Sequence, residues 1–214
     1  MLDRQLRNVL GPGLEATGRR LAGAGVRPGV VTAVGWLIGV GACVAAATGK
    51  WYLALALWLA NRLLDGLDGP VARATSPTAV GGFLDIVADF SIYGGFVVAV
   101  AFAEPAARLA CGTLLLGYYV SGTAFLALSS LLERRGQTQI TSDRRSLRFV
   151  GGLAEGAETI VVYVLFCLFP HHADIIAWVF AGVVAVTALQ RVLLGVHLLK
   201  SRERPARATG GRPQ

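Results

Sequence analysis

Long apolar stretches separated by short polar segments run through the chain between residues 29 and 199. Each stretch is close in length to the roughly 20 residues that an α-helix needs to cross about 30 Å of hydrocarbon. This pattern predicts an all-α polytopic membrane protein with six transmembrane helices. The predicted spans are residues 29–49, 51–69, 82–103, 107–132, 150–170 and 173–199.

A different pattern occupies residues 1–24, ahead of the first span. Apolar residues recur there at helical spacing beside Arg4 and Arg7, which predicts an amphipathic helix lying on the membrane surface. After Lys200 the chain is rich in arginine, glycine and proline, so residues 201–214 are predicted to be a basic, disordered tail. We therefore expect one membrane-embedded domain over residues 1–200. The apolar residues of the surface helix are Leu2, Leu6, Val9, Leu10 and Leu14.

The composition agrees with a membrane protein, because 54% of the residues are hydrophobic and only 15% are charged. That balance leaves too little polar surface for a soluble globule. The net charge is +7, but the basic residues flank the apolar spans, so they indicate topology and contacts with anionic lipid headgroups rather than nucleic-acid binding. With six spans, every lysine and arginine except Lys50 and Arg108 lies on one side or at the adjoining helix ends. This asymmetry predicts that both termini are cytoplasmic.

Four aspartates interrupt the second and third predicted spans. Asp65 and Asp68 end the second span, and Asp85 and Asp89 open the third. A charged side chain at the centre of a span costs about 2.5–3.5 kcal/mol on insertion scales, so these residues need an explanation. Spacings of three and four residues put each pair on one helix face. Because the connecting segment is short, we expect antiparallel neighbouring helices with all four carboxylates near the cytoplasmic face.

Four carboxylates this close together cannot all stay ionised without positive charge among them. Two hard divalent cations, Mg²⁺ or Mn²⁺, would supply that charge. The structural alternative is that the aspartates pair with Arg62 and Arg73 and only terminate helices. Glycines beside both pairs favour the metal-site hypothesis, because they let a ligand or another backbone approach closely. These glycines are Gly66, Gly69, Gly81 and Gly82.

The aspartates belong to a longer pattern. It reads Asp65-x-x-Asp68-Gly69-x-x-Ala72-Arg73, then seven residues, then Gly81-x-x-x-Asp85-x-x-x-Asp89. At every fixed position this pattern resembles the signature of the CDP-alcohol phosphotransferase (CDP-alcohol phosphatidyltransferase) family. The six spans, the preceding surface helix and the cytoplasmic termini are similar as well. The segments NRLLDGLDG, GGFLDI and GGLAEGAETI resemble a bacterial subgroup of unassigned substrate, which implies the bacterial cytoplasmic (inner) membrane as the location.

The resemblance implies a transferase of phospholipid biosynthesis. It would move a phosphatidyl group, or another substituted phosphate group, from CDP-diacylglycerol to an alcohol and release CMP. Asp65, Asp68 and Asp85 would be metal ligands, and Asp89 would complete the metal site and act as the general base. A homodimer is typical of the family, although no residue pattern here requires an interface. The residues implied to contact the CDP moiety are Asp65, Gly69, Ala72, Arg73 and Gly81.

One segment departs from the family pattern. Family members often carry Pro-Asn shortly before a threonine at the first span, whereas this chain has Pro28-Gly29-Val30-Val31-Thr32. This departure weakens the case for nucleotide contacts by Pro28 or Thr32.

Two further groups are candidates for binding the acceptor. Arg144, Arg145 and Arg148 precede the fifth span and could hold an acceptor phosphate, or they could serve topology alone. Glu155 and Glu158 lie in the fifth span and could bind acceptor hydroxyls, or they could pair with those arginines. The alcohol itself stays open among glycerol 3-phosphate, inositol phosphate, serine and a second lipid.

Other functions compete with this one. Transfer of an aminoalcohol phosphate from its CDP derivative to diacylglycerol would use the same signature. A cation carrier would distribute its acids along a pathway, whereas these acids cluster beside a glycine-rich turn. A prenyl transferase would use two aspartate-rich boxes and give the Gly-x-x-Ala-Arg segment no role. A catalytically dead scaffold would not need the intact set of aspartates.

Overall fold

The computed structural model describes residues 2–134 and 156–201, with side chains from residues 10–132 and 156–200. Within these residues all regular secondary structure is helical, which confirms the all-α prediction. Residues 202–214 of the predicted tail lie outside the described residues. The α-helices are α1 (Leu2–Gly23), α2 (Pro28–Ala47), α3 (Trp51–Ala74), α4 (Ala79–Ala103), α5 (Arg108–Arg134), α6 (Gly156–Leu168) and α7 (Ala173–Ser201), with 3-10 turns at Pro105–Ala107 and Pro170–His172.

Two glycines make the tight connections on either side of α2. Gly25 has a φ of 82° and Gly49 a φ of 72°, in the left-handed region that other residues enter only with strain. After α2 the N–H of Lys50 donates to the carbonyl of Ala45 at 2.9 Å, which closes the helix as a Schellman motif. These turns reverse the chain within a few residues, so α2 packs directly against α3.

The chain divides into two compact units. The first unit is Met1–Leu115 with Glu155–Ala181, and in it α2 packs against α3 and α4, while α1 and α6 both pack against α3. The second unit is Leu116–Ala154 with Gly182–Gln214. Within it, Arg191 of α7 donates to the hydroxyl of Ser121 at 2.8 Å. The expectation of one domain over residues 1–200 stays a prediction.

Four segments are long and apolar enough to cross a membrane, and they coincide with the first, third, fourth and sixth predicted spans. Helix α3 occupies the second predicted span and has the length to cross, but it carries Arg62, Asp65, Asp68 and Arg73. The first part of the fifth predicted span lies outside the described residues, and α6 is its apolar remainder of 13 residues. The count of six therefore stays a prediction. The four segments are Pro28–Ala47, Ala79–Ala103, Pro105–Leu132 and Pro170–Lys200.

Helix α1 packs on the C-terminal third of α3. Leu14 and Leu21 lie against a buried cluster that includes Leu67 and Val71 of α3. At the crossing the backbones meet closely, because a Cβ added to Gly18 would lie 2.4 Å from the Cβ of Pro70. The apolar face predicted for residues 1–24 is thus partly used for packing on α3, and its contact with a membrane surface stays a prediction. This packing brings α1 beside the aspartate-bearing segment.

Candidate active site

The aspartates occupy the facing ends of α3 and α4. Helix α3 continues past Asp68 to Ala74, and after a four-residue connection α4 begins at Ala79. The hydroxyl of Thr78 accepts the backbone N–H of Gly81 at 3.0 Å and so caps the N-terminus of α4. This cap fixes the first turn of the helix from which Asp85 projects.

Three of the four aspartates converge. Carboxylate oxygens of Asp65, Asp68 and Asp85 all lie within 4.8 Å of one another, a spacing that suits a shared cation. Asp68 is the most enclosed of the three at 9% exposure, and the hydroxyl of Thr32 on α2 lies 3.3 Å from its Oδ2. Oxygen ligands of this kind are what Mg²⁺ and Mn²⁺ take in proteins, so the residues fit a divalent metal. The convergence expected of four carboxylates is therefore present for these three.

The fourth aspartate has a different partner. The Oδ1 of Asp89 lies 2.7 Å from Nη1 of Arg62, and the same nitrogen lies 3.4 Å from Oδ2 of Asp65. Arg62 also donates to the hydroxyl of Tyr93 at 2.8 Å. Of the two ion pairs in the structural alternative, the one with Arg62 is thus present, while Arg73 pairs with Glu15 of α1.

A pocket with about 260 Å³ of empty space, partly open to solvent, lies among α2, α3 and α4. Its wall combines all four aspartates with a face of α2. Four carboxylates on one wall suit cations and the phosphate groups that cations hold. The lining residues are Val31, Thr32, Gly35, Trp36, Asn61, Arg62, Asp65, Asp68, Asp85, Ala88, Asp89 and Ile92.

The residues implied to contact CDP lie at and beyond the rim of this pocket. Asp65 lines it, whereas Gly69, Ala72 and Arg73 follow on the last turns of α3. The guanidinium of Arg73 folds back over Gly69, so that a Cβ added to this glycine would lie 3.2 Å from Nη1. Gly81 sits in the first turn of α4, and a Cβ would lie 3.0 Å from its capping hydroxyl. A side chain at either glycine would therefore crowd a neighbouring polar group, the guanidinium of Arg73 or the hydroxyl of Thr78.

Most of the predicted acceptor residues cannot be placed. Arg144, Arg145, Arg148 and Glu155 lie outside the described residues. Glu158 falls in the first turn of α6, and α6 packs against α3. Their roles stay predictions.

Sequence reasoning missed the contribution of α2 and the place of Arg62. Thr32 and Trp36 form one wall of the pocket, and the indole N–H of Trp36 donates to the hydroxyl of Ser91 on α4 at 2.9 Å. The departure from the family pattern at residues 28–32 weakened the prediction for Thr32, although its hydroxyl lies 3.3 Å from Oδ2 of Asp68. Arg62 was identified only as an alternative ion-pair partner, and its aromatic neighbours had no signal in the local sequence.

A sequence model of the CDP-alcohol phosphatidyltransferase family matches residues 26–189. The chain is 42% identical over 209 residues to the inner membrane protein YnjF of Escherichia coli K12, covering 95% of this chain and 100% of YnjF. It is 28% identical over 181 residues to the archaetidylinositol phosphate synthase of Methanothermobacter thermautotrophicus, covering 79% of this chain and 83% of that enzyme.

Two solved structures of Mycobacterium tuberculosis phosphatidylinositol phosphate synthase (PgsA1) share the fold at 21% sequence identity. One has CDP-DAG bound and superposes with a TM-score of 0.68, covering 85% of this chain and 92% of that one. The other is a complex with manganese and citrate and has a TM-score of 0.67, with coverage of 86% and 88%.

Proposed function

The chain belongs to the CDP-alcohol phosphatidyltransferase family, and we propose that it moves a phosphatidyl group from CDP-diacylglycerol to an alcohol, releasing CMP, in phospholipid biosynthesis. The observation that carries this proposal is the convergence of the carboxylates of Asp65, Asp68 and Asp85 within 4.8 Å in one pocket, with Asp89 on its wall. The CDP-DAG bound to the PgsA1 structure of the same fold supports this choice of donor.

The proposed metal site consists of Asp65, Asp68, Asp85 and Asp89. Two ions, Mg²⁺ or Mn²⁺, would neutralise the pyrophosphate and stabilise the charge that develops on departing CMP. The facing helices bring three of these carboxylates together before substrate binds, so the side chains need little reorganisation. A manganese complex of PgsA1 supports the choice of ion, and the number of ions belongs to the proposal.

The proposed chemistry is direct displacement. The acceptor hydroxyl attacks the β-phosphorus, the bond from that phosphorus to the bridging oxygen breaks, and CMP leaves with that oxygen. Asp89 takes the hydroxyl proton as the new P–O bond forms, because an alcohol is a weak nucleophile until deprotonated. For the CDP moiety we propose contacts from Asp65, Gly69, Ala72, Arg73 and Gly81.

An acceptor that carries a phosphate fits the basic residues before α6. We propose that Arg144, Arg145 and Arg148 bind that phosphate and that Glu155 and Glu158 contact acceptor hydroxyls. The relationship to an archaetidylinositol phosphate synthase supports an acceptor of this kind. Guanidinium groups match phosphate oxygens in a bidentate fork, which a lysine does not.

We also propose the membrane arrangement that this chemistry needs. Six spans, with α3 and α6 among them, put both termini and the pocket on the cytoplasmic side of the inner membrane, where CMP can leave into water. Helix α1 lies along that surface, and residues 1–200 form one domain followed by a basic tail. The inner-membrane location of YnjF by name supports the compartment, and a homodimer is the assembly we expect.

The test uses purified protein in lipid nanodiscs with Mn²⁺ or Mg²⁺. CDP-diacylglycerol is offered with glycerol 3-phosphate, inositol phosphate, serine and a second lipid, and CMP and product lipid are measured by mass spectrometry. We expect stoichiometric CMP and one new lipid. Products only from CDP-aminoalcohols with diacylglycerol would replace the proposed donor, and no CMP from any pair would overturn the proposal.

A further inference from the structure

Arg62 is an unusual residue for an apolar helix, because its side chain is only 6% exposed. It lies one turn before Asp65, on the wall of the pocket, but the family signature assigns it no role. A buried guanidinium persists only where its charge is paired and its N–H groups are satisfied. The contacts of Arg62 therefore show what the fold uses it for.

Its N–H groups are divided between two tasks. Nε and Nη2 donate to Oδ1 of Asn61 at 2.9 and 2.6 Å, and the amide of Asn61 donates in turn to the carbonyl of Gly35 on α2 at 2.8 Å. Nη1 faces the hydroxyl of Tyr93 and the carboxylates of Asp65 and Asp89. The Nε–Nη2 edge of the guanidinium is thus anchored through Asn61 to α2, and Nη1 faces the carboxylates of the pocket.

An aromatic cage fixes the guanidinium plane. Its central carbon lies 4.7 Å from the ring centroids of both Trp58 and Tyr93, within the range of cation–π contact. Trp58 is fully buried, and its indole N–H has no hydrogen-bond partner among the described residues. The contact of Trp58 with Arg62 is therefore made by the face of the ring. Tyr93 is itself held by Tyr163 of α6, whose hydroxyl donates to the Tyr93 carbonyl at 2.7 Å.

These contacts place one positive charge within 3.4 Å of two carboxylates of the pocket. Asp89 on α4 is the carboxylate nearest to Arg62, at 2.7 Å, whereas Asp65, Asp68 and Asp85 form the cluster described above. We propose that Arg62 is a positioning residue for Asp89: its caged guanidinium holds that carboxylate beside the three-aspartate cluster and limits how strongly the site binds cations. This inference depends on the proposed function for the role of Asp89.

The inference predicts opposite changes in metal binding and turnover. Arg62→Met removes a positive charge 3.4 Å from Asp65, so Mn²⁺ affinity should rise, on the order of 3–10-fold, because like charges no longer compete. Turnover should fall on the order of 100-fold, because a misplaced proton acceptor loses most of its contribution. Arg62→Lys keeps the charge but loses the planar fork, so turnover should fall while Mn²⁺ affinity stays within about 2-fold.

The experiment measures Mn²⁺ binding by electron paramagnetic resonance in nanodiscs without donor, then kcat and KM for CMP release. Arg108→Met is the matched control, because Arg108 is exposed, donates to the carbonyl of Ala101 and does not line the pocket. We expect the donor KM of both Arg62 variants to stay within about 3-fold of wild type, since neither substitution removes a contact with the bound donor. In an Asp89→Asn background we also expect Arg62→Lys to cause no further loss of kcat, because two residues that act as a unit have non-additive effects.

Three outcomes would overturn the inference. They are an Arg62→Lys variant with wild-type kcat, additive losses in the double variant, and an Arg62→Met variant that folds but has lower Mn²⁺ affinity. If Arg62→Met does not fold, the lysine variant and the double variant decide. An inactive wild-type protein would overturn the proposed function instead, and the Mn²⁺ titration would still decide whether Arg62 limits cation binding.

Discussion

Helix α3 carries two arginines that each face a carboxylate, in opposite surroundings. Arg62 is 6% exposed, caged by Trp58 and Tyr93 and paired with Asp89, whereas Arg73 is 61% exposed and reaches Glu15 on α1. We call the first region, formed by Arg62 and the four aspartates, the caged centre. The second, formed by Glu15, Gly18, Pro70 and Arg73, is the α1 contact.

The two regions differ in how far solvent screens the ion pair and in how much it costs the arginine to leave its partner. An exposed ion pair is worth about 0.2–1 kcal/mol and weakens with salt, so Arg73 can leave Glu15 at small cost, as its proposed contact with the nucleotide would require. A buried pair that loses one partner costs about 3–5 kcal/mol, so Arg62 has no comparable freedom. The comparison suggests that the caged centre sets the geometry of the reaction and the α1 contact adjusts donor binding.

The largest effect is expected in the caged centre. Asp68→Asn removes one charge from the three-aspartate cluster, and turnover should fall by a factor on the order of 10³, because charge stabilisation of the transition state is lost. CMP release and Mn²⁺ binding are measured together. Asp174→Asn, in the first turn of α7, is the control and should keep wild-type activity. Full activity of Asp68→Asn would remove the metal site from this cluster.

Packing at the α1 contact should come next. A Cβ on Gly18 would lie 2.4 Å from Pro70 Cβ, so Gly18→Ala should lower stability by about 1–3 kcal/mol through overpacking. Gly13→Ala on the same helix meets nothing within 4 Å and should leave stability unchanged or raise it by up to about 1 kcal/mol. Melting temperatures in detergent compare the two. Equal melting temperatures would mean that α1 does not dock on α3 in solution.

A smaller effect is expected where α2 meets the caged centre. Thr32→Val keeps the shape but removes the hydroxyl 3.3 Å from Oδ2 of Asp68. That hydroxyl also lies 3.3 Å from the carbonyl of Pro28, and its single proton can serve only one of them at a time. Because the proton serves Asp68 only part of the time, losing this hydrogen bond should cost about 0.5–1.5 kcal/mol and reduce kcat/KM by a factor of roughly 2–10. An unchanged kcat/KM would leave Thr32 with a packing role.

The smallest effect is expected at the exposed ion pair. Glu15→Gln frees Arg73, so the KM for CDP-diacylglycerol should fall by less than about 5-fold, in keeping with an exposed pair. The change should disappear in high salt, because exposed charges are screened. Glu104→Gln, at the C-terminal end of α4, is the control. A large rise in KM would show instead that Glu15 helps to bind the donor.

The aspartate site could be predicted from the sequence because it depends on residues that are close together in the chain. Spacings of three and four residues decide which side chains share a helix face, and a short connection brings two helix ends together, so the meeting of Asp65, Asp68 and Asp85 could be predicted. The helical class and four of the spans followed from runs of apolar residues in the same way.

The partners of Arg62 and Thr32 could not be predicted, because they depend on tertiary packing. The sequence predicts Arg62 only as an ion-pair partner for the aspartates in general and does not indicate that its closest carboxylate is Asp89 on α4. Thr32 meets an aspartate 36 residues away through the packing of α2 on α3, which no periodicity records. The ring that holds Tyr93 comes from α6, still further along the chain.

The central claim is that the caged centre is a metal-dependent transfer site. The most direct measurement is the rate of CMP release from CDP-diacylglycerol, with the acceptor that gives product, during a Mn²⁺ titration of chelator-treated protein. The account predicts no release without divalent cation and full recovery at saturating Mn²⁺, with the recovery lost in Asp85→Asn. Wild-type turnover in the presence of excess chelator would contradict it.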